Sequence, residues 1–259
     1  MYEALNYHVE GQIAVLCINR PRARNAINFQ AMREMEEVLQ RIESSGQVGA
    51  LILTATGEKV FCAGGDIKEF RELKSEDDAR RMSTRMQSIL SRLETLNIPV
   101  IVAINGDAYG GGCEIIVAGD IRIASQNARL AFRQIQFGIM TGWGGAQRLI
   151  RIVGRSRAIQ LLLTGQTITA EEGLQCGLID EVVPSGEVML RARALAEQIT
   201  SNSLSCIHSY MASIRQGMDI PLDEAISFET DLFCKLWVSE AREQQFEAFT
   251  RKKPGRRKK

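Results

Sequence analysis

The sequence predicts an α/β fold in which helices cover a largely parallel β-sheet. Short apolar runs rich in β-branched residues recur in the first half of the chain, at 13–18 (IAVLCI), 50–54 (ALILT), 99–104 (PVIVAI) and 121–124 (IRIA). Longer stretches with helical spacing of apolar residues lie between them. Strands that alternate with helices are typical of parallel sheets, because each parallel connection must cross back over the sheet.

Two long segments carry the helical pattern most clearly. In Phe29–Ile42 and Glu76–Leu96 the apolar residues recur every three or four positions and so share one face of a helix. In the second half of the chain the strand signal fades, apart from GLIDEVV at 177–183. The segments near 145–175 and 186–250 therefore predict successive helices.

The length and composition favour one large folded unit. The chain has 259 residues, of which 45% are hydrophobic and 24% charged, and this is enough to bury a sizeable core. We expect an α/β core over residues 1–190 and a helical region over residues 191–259.

Charge and cysteine content indicate which ligands and which cellular compartment the sequence favours. Lys and Arg number 32 against 31 Asp and Glu, so the net charge of +1 gives no overall signal for nucleic-acid or membrane binding. The last nine residues, RKKPGRRKK, are basic and predict a solvated tail or a region that attracts a phosphorylated ligand.

The six cysteines form no CxxC pair and lie mostly in apolar runs, which is typical of reduced thiols. We expect a soluble, cytoplasmic protein without a metal site, since His8 and His208 lack neighbouring ligand patterns.

Two glycine-rich junctions between strands and helices point to chemistry. The segment GDAYGGGCE at 106–114 follows the strand at 99–104 and opens an apolar helical segment, and FCAGGD at 61–66 follows the strand at 50–54. The first N–H groups of a helix lack intrahelical acceptors and can hold an anion or a polarised carbonyl. A glycine run alone is also explained by a tight turn or close packing. Two such junctions, however, can direct two N–H groups at one oxygen and form an oxyanion hole.

These motifs together resemble the enoyl-CoA hydratase/isomerase (crotonase) family. The resemblance rests on FCAGGDIKEF and NGDAYGGGCEIIVAGD, and it extends through RPRARNAIN at 20–28, GWGGAQRL at 142–149 and LLLTGQTITAEEGLQCGLIDEVVP at 161–184 to EAFTRKK at 247–253. It implies that residues 1–190 form a spiral of ββα units that binds acyl-CoA. Residues 191–259 would form a helical trimerisation region, giving a homotrimer or a homohexamer. CoA arrives with the substrate, and the resemblance implies no other cofactor.

The resemblance also implies site residues. The two oxyanion N–H groups would belong to Gly65 and Gly111. For substrate binding it implies Arg22 and Arg24 near the CoA phosphates, and Ala63 and Ile67 along the pantetheine and adenine. Phe249 and Lys252 would reach a CoA bound mainly by a neighbouring subunit. The other predicted substrate-binding residues are Asp66, Gly142 and Trp143. Three of these assignments have a structural alternative. The two arginines could lie in a solvated turn, Asp66 could brace its loop, and Trp143 could serve only in packing.

Glu114 is the predicted acid/base. It falls three residues after Gly111, one turn along the same short helix, so its carboxylate can overlook the carbon next to a thioester held at Gly111. A glutamate within an apolar helix is costly to bury unless it is paired or used. The neighbouring Cys113 has no evident His partner, and we expect a buried thiol there rather than a nucleophile.

Gln134 departs from the family pattern. Hydratases of this family carry a second glutamate about twenty residues after the first, and counting back from GIMTGWGG places Gln134 there. An amide can orient water but cannot transfer a proton as a carboxyl group does. Hydration with Glu114 as sole acid/base is the leading hypothesis, with Gln134 positioning water or substrate. Isomerisation that needs a second acid becomes less favoured.

Two alternatives to hydration stay open at this stage. Decarboxylation of a methylmalonyl-type or ethylmalonyl-type thioester needs an enolate and a single proton, and the GWGG containing Trp143 resembles decarboxylase-like members of the family. A non-catalytic scaffold that binds CoA, or RNA through the basic tail, is the alternative from another class.

Overall fold

The structure is a computed structural model that describes residues 2–251, with side chains described as far as Glu247. Its strands are β1 Leu5–Glu10, β2 Ile13–Ile18, β3 Ala50–Ala55, β4 Val60–Cys62, β5 Val100–Ile104, β6 Asp107–Tyr109, β7 Ile121–Ser125, β8 Arg129–Ala131, β9 Ile168–Thr169 and β10 Glu181–Val183. Its helices are α1 Phe29–Ser45, α2 Ile67–Phe70, α3 Glu76–Thr95, α4 Gly111–Ile116, α5 Gly145–Thr164, α6 Ala170–Gln175, α7 Val188–Thr200, α8 Leu204–Gly217, α9 Leu222–Trp237 and α10 Glu240–Arg251.

Six strands form the larger sheet, in the order β1-β2-β3-β5-β7-β10. All neighbours pair in parallel except β1 and β2, which pair antiparallel. The four predicted apolar runs are β2, β3, β5 and β7 at the centre of this sheet. Strands buried on both faces need continuous apolar sequence, and this explains why the runs were visible in the sequence. The α/β prediction is confirmed.

The larger sheet separates two apolar cores. On β3, Leu51 and Leu53 pack toward α1 and α3, whereas Ile52 packs toward the face that α7 covers. Val188, Ala192 and Ala196 are the buried residues of α7. The predicted boundary after residue 190 therefore falls inside a helix that packs on the sheet. The division of the chain at that point stays a prediction.

A second, smaller sheet positions the glycine-rich junctions. It has the order β4-β6-β8-β9, with β4, β6 and β8 parallel. We expected the junctions to follow the strands of the larger sheet directly, and this was wrong. Each junction instead follows a three-residue strand, β4 or β6, which is too short to show a strand pattern in the sequence.

After α7 the described chain is helical, as the sequence predicts. The helices α8, α9 and α10 follow one another, and none of the residues of α9 is buried. Within residues 2–251, no helix is long and apolar enough to cross a membrane.

Candidate active site

Three neighbouring parallel strands of the smaller sheet end at one edge. The loop that carries Gly65 follows β4, the helix that carries Gly111 and Glu114 follows β6, and the turn that carries Gln134 follows β8. The carboxyl ends of parallel strands are where open sheets hold their ligands. The smaller sheet thus brings together all four residues predicted to be catalytic.

The two glycine loops approach each other closely. A Cβ atom added at Gly64 would lie 3.1 Å from the backbone nitrogen of Gly111. Neither the N–H of Gly65 nor that of Gly111 donates a hydrogen bond to any acceptor within residues 2–251. Both groups are therefore available to one carbonyl oxygen, and the N–H of Gly111 adds the favourable potential of a helix N-terminus.

The indole of Trp143 packs against both glycines. A Cβ atom at Gly111 would lie 2.2 Å from Cζ3 of the indole, and one at Gly65 would lie 3.6 Å from its Cζ2. Trp143 is only 4% exposed. The glycine at position 111 is required because any side chain there would collide with this ring.

Glu114 is held at the N-terminus of α5. Its Oε1 accepts hydrogen bonds from the N–H groups of Trp143, at 2.8 Å, and Gly145, at 2.9 Å. Gly145 has to be glycine, since a Cβ atom there would lie 2.4 Å from Cγ of Glu114. Glu114 is 2% exposed, so these donors replace the water that its carboxyl group loses on burial.

Burial and hydrogen bonding oppose each other at Glu114. Burial raises the pKa of its carboxyl group above the ordinary value of glutamic acid, and hydrogen bonds from Gly145, Trp143 and Gln134 reduce that rise. A raised pKa brings a carboxyl group closer to neutral pH, where it can both accept and return a proton.

Gln134 lies directly beside Glu114, and its amide has a defined orientation. Its Nε2 donates to Oε2 of Glu114 at 3.0 Å. Its Oε1 is buried and has no hydrogen-bond partner among the described residues. Since buried acceptors are normally satisfied, the orphaned oxygen indicates a place for a donor from water or substrate.

The loop that carries Trp143 is fixed to α3. The carbonyl of Gly142 accepts from Ser83 Oγ and, at 2.8 Å, from Gln87 Nε2. Arg148 donates to the carbonyl of Trp143 at 2.8 Å and pairs with Glu94 at 2.6 Å. Helix α3 therefore fixes the loop in which the N–H of Trp143 binds Glu114.

The residues predicted to bind CoA surround the loop at 61–66. Arg22 and Arg24 are exposed, and the carbonyl of Arg24 accepts from the N–H of Ala63 at 3.1 Å. Ile67 is 65% exposed at the start of α2. Arg24, Ala63 and Ile67 thus lie beside the loop that carries Gly65, and Arg22 is two residues before Arg24 in the chain. The contacts of all four residues with CoA stay predictions.

Asp66 braces its loop. Its side chain caps α2 by accepting from the N–H of Lys68 at 3.1 Å, and it pairs with Arg20 at 2.9 Å. These bonds correspond to the alternative that the sequence offered for Asp66. The side chain of Phe249 and the whole of Lys252 lie outside the described residues.

The nearby thiols are poorly suited to act as nucleophiles. Burial raises the pKa of Cys62 to about 12 and raises that of Cys113 as well. The thiol of Cys113 donates to the carbonyl of Ala108 at 3.1 Å. Within residues 2–251 there is no group of three or more His, Cys, Asp or Glu that could hold a metal ion.

Sequence reasoning missed the donors that hold Glu114. The N–H groups of Trp143 and Gly145 belong to GWGG, which precedes an amphipathic helix and could have been identified as a helix N-terminus suited to a carboxylate. Met82, which accepts from the indole N–H of Trp143 at 3.2 Å, left no signal because it lies on the apolar face of α3 like any core residue.

Comparison with known proteins identifies the family of this chain. Residues 8–257 match the family model for enoyl-CoA hydratase/isomerase. A short-chain-enoyl-CoA hydratase of Clostridium acetobutylicum is 42% identical over 94% of this chain and 93% of its own. A crotonyl-CoA hydratase of Syntrophomonas wolfei is 35% identical over 97% of this chain and 96% of its own.

Solved structures show the same fold. The crystal structure of an enoyl-CoA hydratase from Bacillus anthracis is 31% identical, has a TM-score of 0.92 and covers 97% of each chain. Pseudomonas aeruginosa DspI, at 29% identity, has a TM-score of 0.91 over 98% of this chain and 97% of its own. The chain has the crotonase fold and belongs to the enoyl-CoA hydratase/isomerase family.

Proposed function

We propose that this chain is an enoyl-CoA hydratase that reversibly adds water to a short-chain 2-enoyl-CoA. The relatives described above are named for hydration, and one of them for short-chain substrates. The observation that carries the proposal lies in the site itself, where two neighbouring side chains each present an oxygen that can accept a further hydrogen bond.

The two acceptors are Oε2 of Glu114 and Oε1 of Gln134. Oε2 of Glu114 accepts from Gln134 Nε2, and Oε1 of Gln134 has no partner among the described residues. Because a carboxylate or amide oxygen can accept two hydrogen bonds, one water molecule could donate one hydrogen to each. That water would present its lone pairs away from both oxygens.

The thioester would be held opposite this water. Its carbonyl oxygen would accept from the N–H groups of Gly65 and Gly111, which lack acceptors within residues 2–251. As charge builds on that oxygen, both hydrogen bonds strengthen, and so they stabilise the enolate more than the substrate.

One carboxyl group suffices for the whole reaction. The oxygen of water bonds to C3 of the enoyl group, the electron pair of the double bond moves toward the thioester, and Glu114 takes the proton that water releases. Glu114 then returns this proton to C2 as the enolate collapses. Water is consumed, 3-hydroxyacyl-CoA forms, and Glu114 ends as it began. Gln134 orients the water throughout and exchanges no proton.

Decarboxylation is the second candidate, and the amide at position 134 is the observation that favours it. An acyl-CoA with a carboxylate on C2 would lose CO2 to give the enolate of the saturated thioester, held by the same two N–H groups, and Glu114 would then have to supply a proton to C2. The pKa of Glu114 is raised, and its protonated form could do this.

Paired assays test the proposal. The chain should consume the conjugated absorbance of crotonyl-CoA and form 3-hydroxybutyryl-CoA, and it should release no CO2 from methylmalonyl-CoA or ethylmalonyl-CoA. Release of CO2 without hydration would replace the proposal by decarboxylation. Activity in neither assay would contradict both and would leave a CoA-binding scaffold as the remaining hypothesis.

We also propose a homotrimer or a dimer of trimers. Large apolar side chains on α8 and α9 are exposed, including Tyr210 at 68%, Ile226 at 56% and Trp237 at 54%. Exposed apolar surface on consecutive helices is typical of an interaction surface. Light scattering after gel filtration should give three or six times the chain mass, and a monomer would contradict this.

The remaining properties follow the same proposal. The enzyme needs no cofactor beyond the CoA of its substrate, and Arg22, Arg24, Ala63 and Ile67 are the proposed CoA contacts. All six cysteines are free, which supports a reducing compartment such as the cytoplasm. Activity that survives dialysis against a chelator would support the absence of a metal requirement.

A further inference from the structure

The indole of Trp143 occupies the space immediately beside the candidate oxyanion hole. Its six-membered ring lies against the Cβ positions of both Gly111 and Gly65. The backbone N–H of the same residue binds Glu114 at 2.8 Å. Any acyl group held by the two glycines and reached by Glu114 must therefore pass next to this ring.

Several contacts fix the ring in place. Its N–H donates to Sδ of Met82 at 3.2 Å, and the carbonyl of Trp143 accepts from Arg148. The ring of Phe70 also lies against Gly65, with its Cε2 at 2.5 Å from the Cβ position, and packs at a tilt against Phe29 at 5.4 Å between ring centres. The wall beside the acyl group is thus aromatic, buried and held from two helices.

We propose that Trp143 forms the closed end of the acyl pocket and restricts the enzyme to short acyl chains such as crotonyl. This inference rests on the proposed function for the placement of the thioester. A longer chain would have to displace an indole that is 4% exposed and anchored at its backbone and its ring nitrogen. Well-packed interiors resist such displacement because a moved ring leaves a void and breaks its contacts.

The test compares chain-length preference in Trp143→Ala and Trp143→Phe. The measured quantity is the ratio of kcat/KM for 2-octenoyl-CoA to that for crotonyl-CoA. Extra methylene groups in an apolar pocket each change specificity by about tenfold or more. We therefore expect the ratio to rise at least tenfold in Trp143→Ala and by a smaller factor in Trp143→Phe. The phenylalanine variant also provides a test if the alanine variant fails to fold.

The control is the same substitution at the other tryptophan of the chain, Trp237. This residue lies on α9, stacks on Arg242 at 4.4 Å and is 54% exposed. Because Trp237 also lies on the proposed oligomer surface, gel filtration must first show that Trp237→Ala keeps the wild-type oligomeric state, and the ratio should then be unchanged. An unchanged ratio in both Trp143 variants, measured while they still hydrate crotonyl-CoA, would overturn the inference.

A binding measurement separates this inference from the proposed function. Calorimetry with the saturated thioesters butyryl-CoA and octanoyl-CoA reports the pocket without any reaction. Wild type should bind octanoyl-CoA no better than butyryl-CoA, and Trp143→Ala should gain at least tenfold for octanoyl-CoA alone. If this holds while wild type hydrates nothing, the proposed function fails and the pocket assignment stands. If wild type already binds octanoyl-CoA more tightly, the pocket assignment fails.

Discussion

The protein buries two glutamates almost equally, and their surroundings differ. Glu34 is 3% exposed and Glu114 is 2% exposed. Glu34 accepts four hydrogen bonds, from the backbone N–H groups of Glu3, Ala4 and Leu5 and from Gln30 Nε2. Each of its oxygens receives two donors, so its acceptor capacity is used within the chain.

Glu114 keeps one oxygen only partly occupied. Trp143 and Gly145 both donate to its Oε1 at less than 3 Å, whereas the one hydrogen bond of comparable geometry to Oε2 from the described residues comes from the amide of Gln134. The partly occupied oxygen lies next to a second orphaned acceptor. Burial alone therefore does not identify a working carboxyl group. What distinguishes Glu114 is unused hydrogen-bonding capacity that faces other reactive positions.

The largest expected effect separates the two glutamates by activity. Glu114→Gln keeps the shape but removes proton transfer, and kcat for hydration of crotonyl-CoA should fall by about 10²–10⁴. Glu34→Gln should retain kcat within about threefold in the folded enzyme, because its carboxyl group binds three backbone N–H groups and the Gln30 amide and none of the candidate site residues. Comparable losses in both variants, with folded protein verified by circular dichroism, would remove the distinction.

The second-largest expected effect concerns the candidate oxyanion hole, to which Gly111 contributes an N–H group. In Gly111→Ala the new methyl would meet the indole of Trp143, so the loop must move, and losing one donor of this kind lowers kcat by about 10²–10³. Gly217→Ala is the matched control, since its Cβ would lie at an ordinary 3.5 Å from Ala225. Full activity in Gly111→Ala would show that the N–H at 111 holds no oxyanion.

The role of Glu34 should be visible in the free energy of unfolding and not in kcat. Glu34→Ala leaves buried backbone donors of the N-terminal segment without an acceptor, and it should lower the free energy of unfolding by about 1–3 kcal/mol. Chemical denaturation measures this value, and kcat per folded molecule should stay near wild type. A drop in kcat without a loss of stability would give Glu34 a part in the reaction.

The smallest effect concerns the partner of Glu114. Gln134→Leu removes both the donor to Oε2 and the orphaned acceptor, and kcat should fall by about tenfold because water loses one of its two anchors. Gln134→Glu keeps the acceptor and should retain hydration. Wild-type activity in Gln134→Leu would exclude the proposed role of the amide in holding water.

The sequence was sufficient for the parts of the fold and site that depend on local pattern. The central strands could be predicted because burial on both faces demands unbroken apolar runs, as in IAVLCI and ALILT. Glu114 could be singled out because a charge in CEIIVAG contradicts its apolar neighbours. The glycine junctions could be located because few other residues allow such close approach of backbones.

The rest depended on packing that a single sequence does not display. The strands β4, β6 and β8 have three residues each, and they are strands only because they pair with one another. The hold of Trp143 and Gly145 on Glu114 spans about thirty residues of chain, so no local pattern encodes it. The contact between Met82 and the indole likewise joins two segments whose sequences show ordinary core residues.

The most direct test of single-carboxyl catalysis is the pH dependence of kcat/KM in wild type and Gln134→Glu. Burial raises the pKa of Glu114, and its carboxylate must accept the proton of water, so wild-type kcat/KM should rise with pH through a value above that of ordinary glutamic acid and then stay level. The ratio of kcat/KM in Gln134→Glu to kcat/KM in wild type cancels ionisations of the CoA. This ratio should fall at high pH, because the added carboxyl group then ionises and places a second negative charge beside Glu114 and the forming enolate. A wild-type profile that itself declines at high pH, with a flat ratio, would contradict the account.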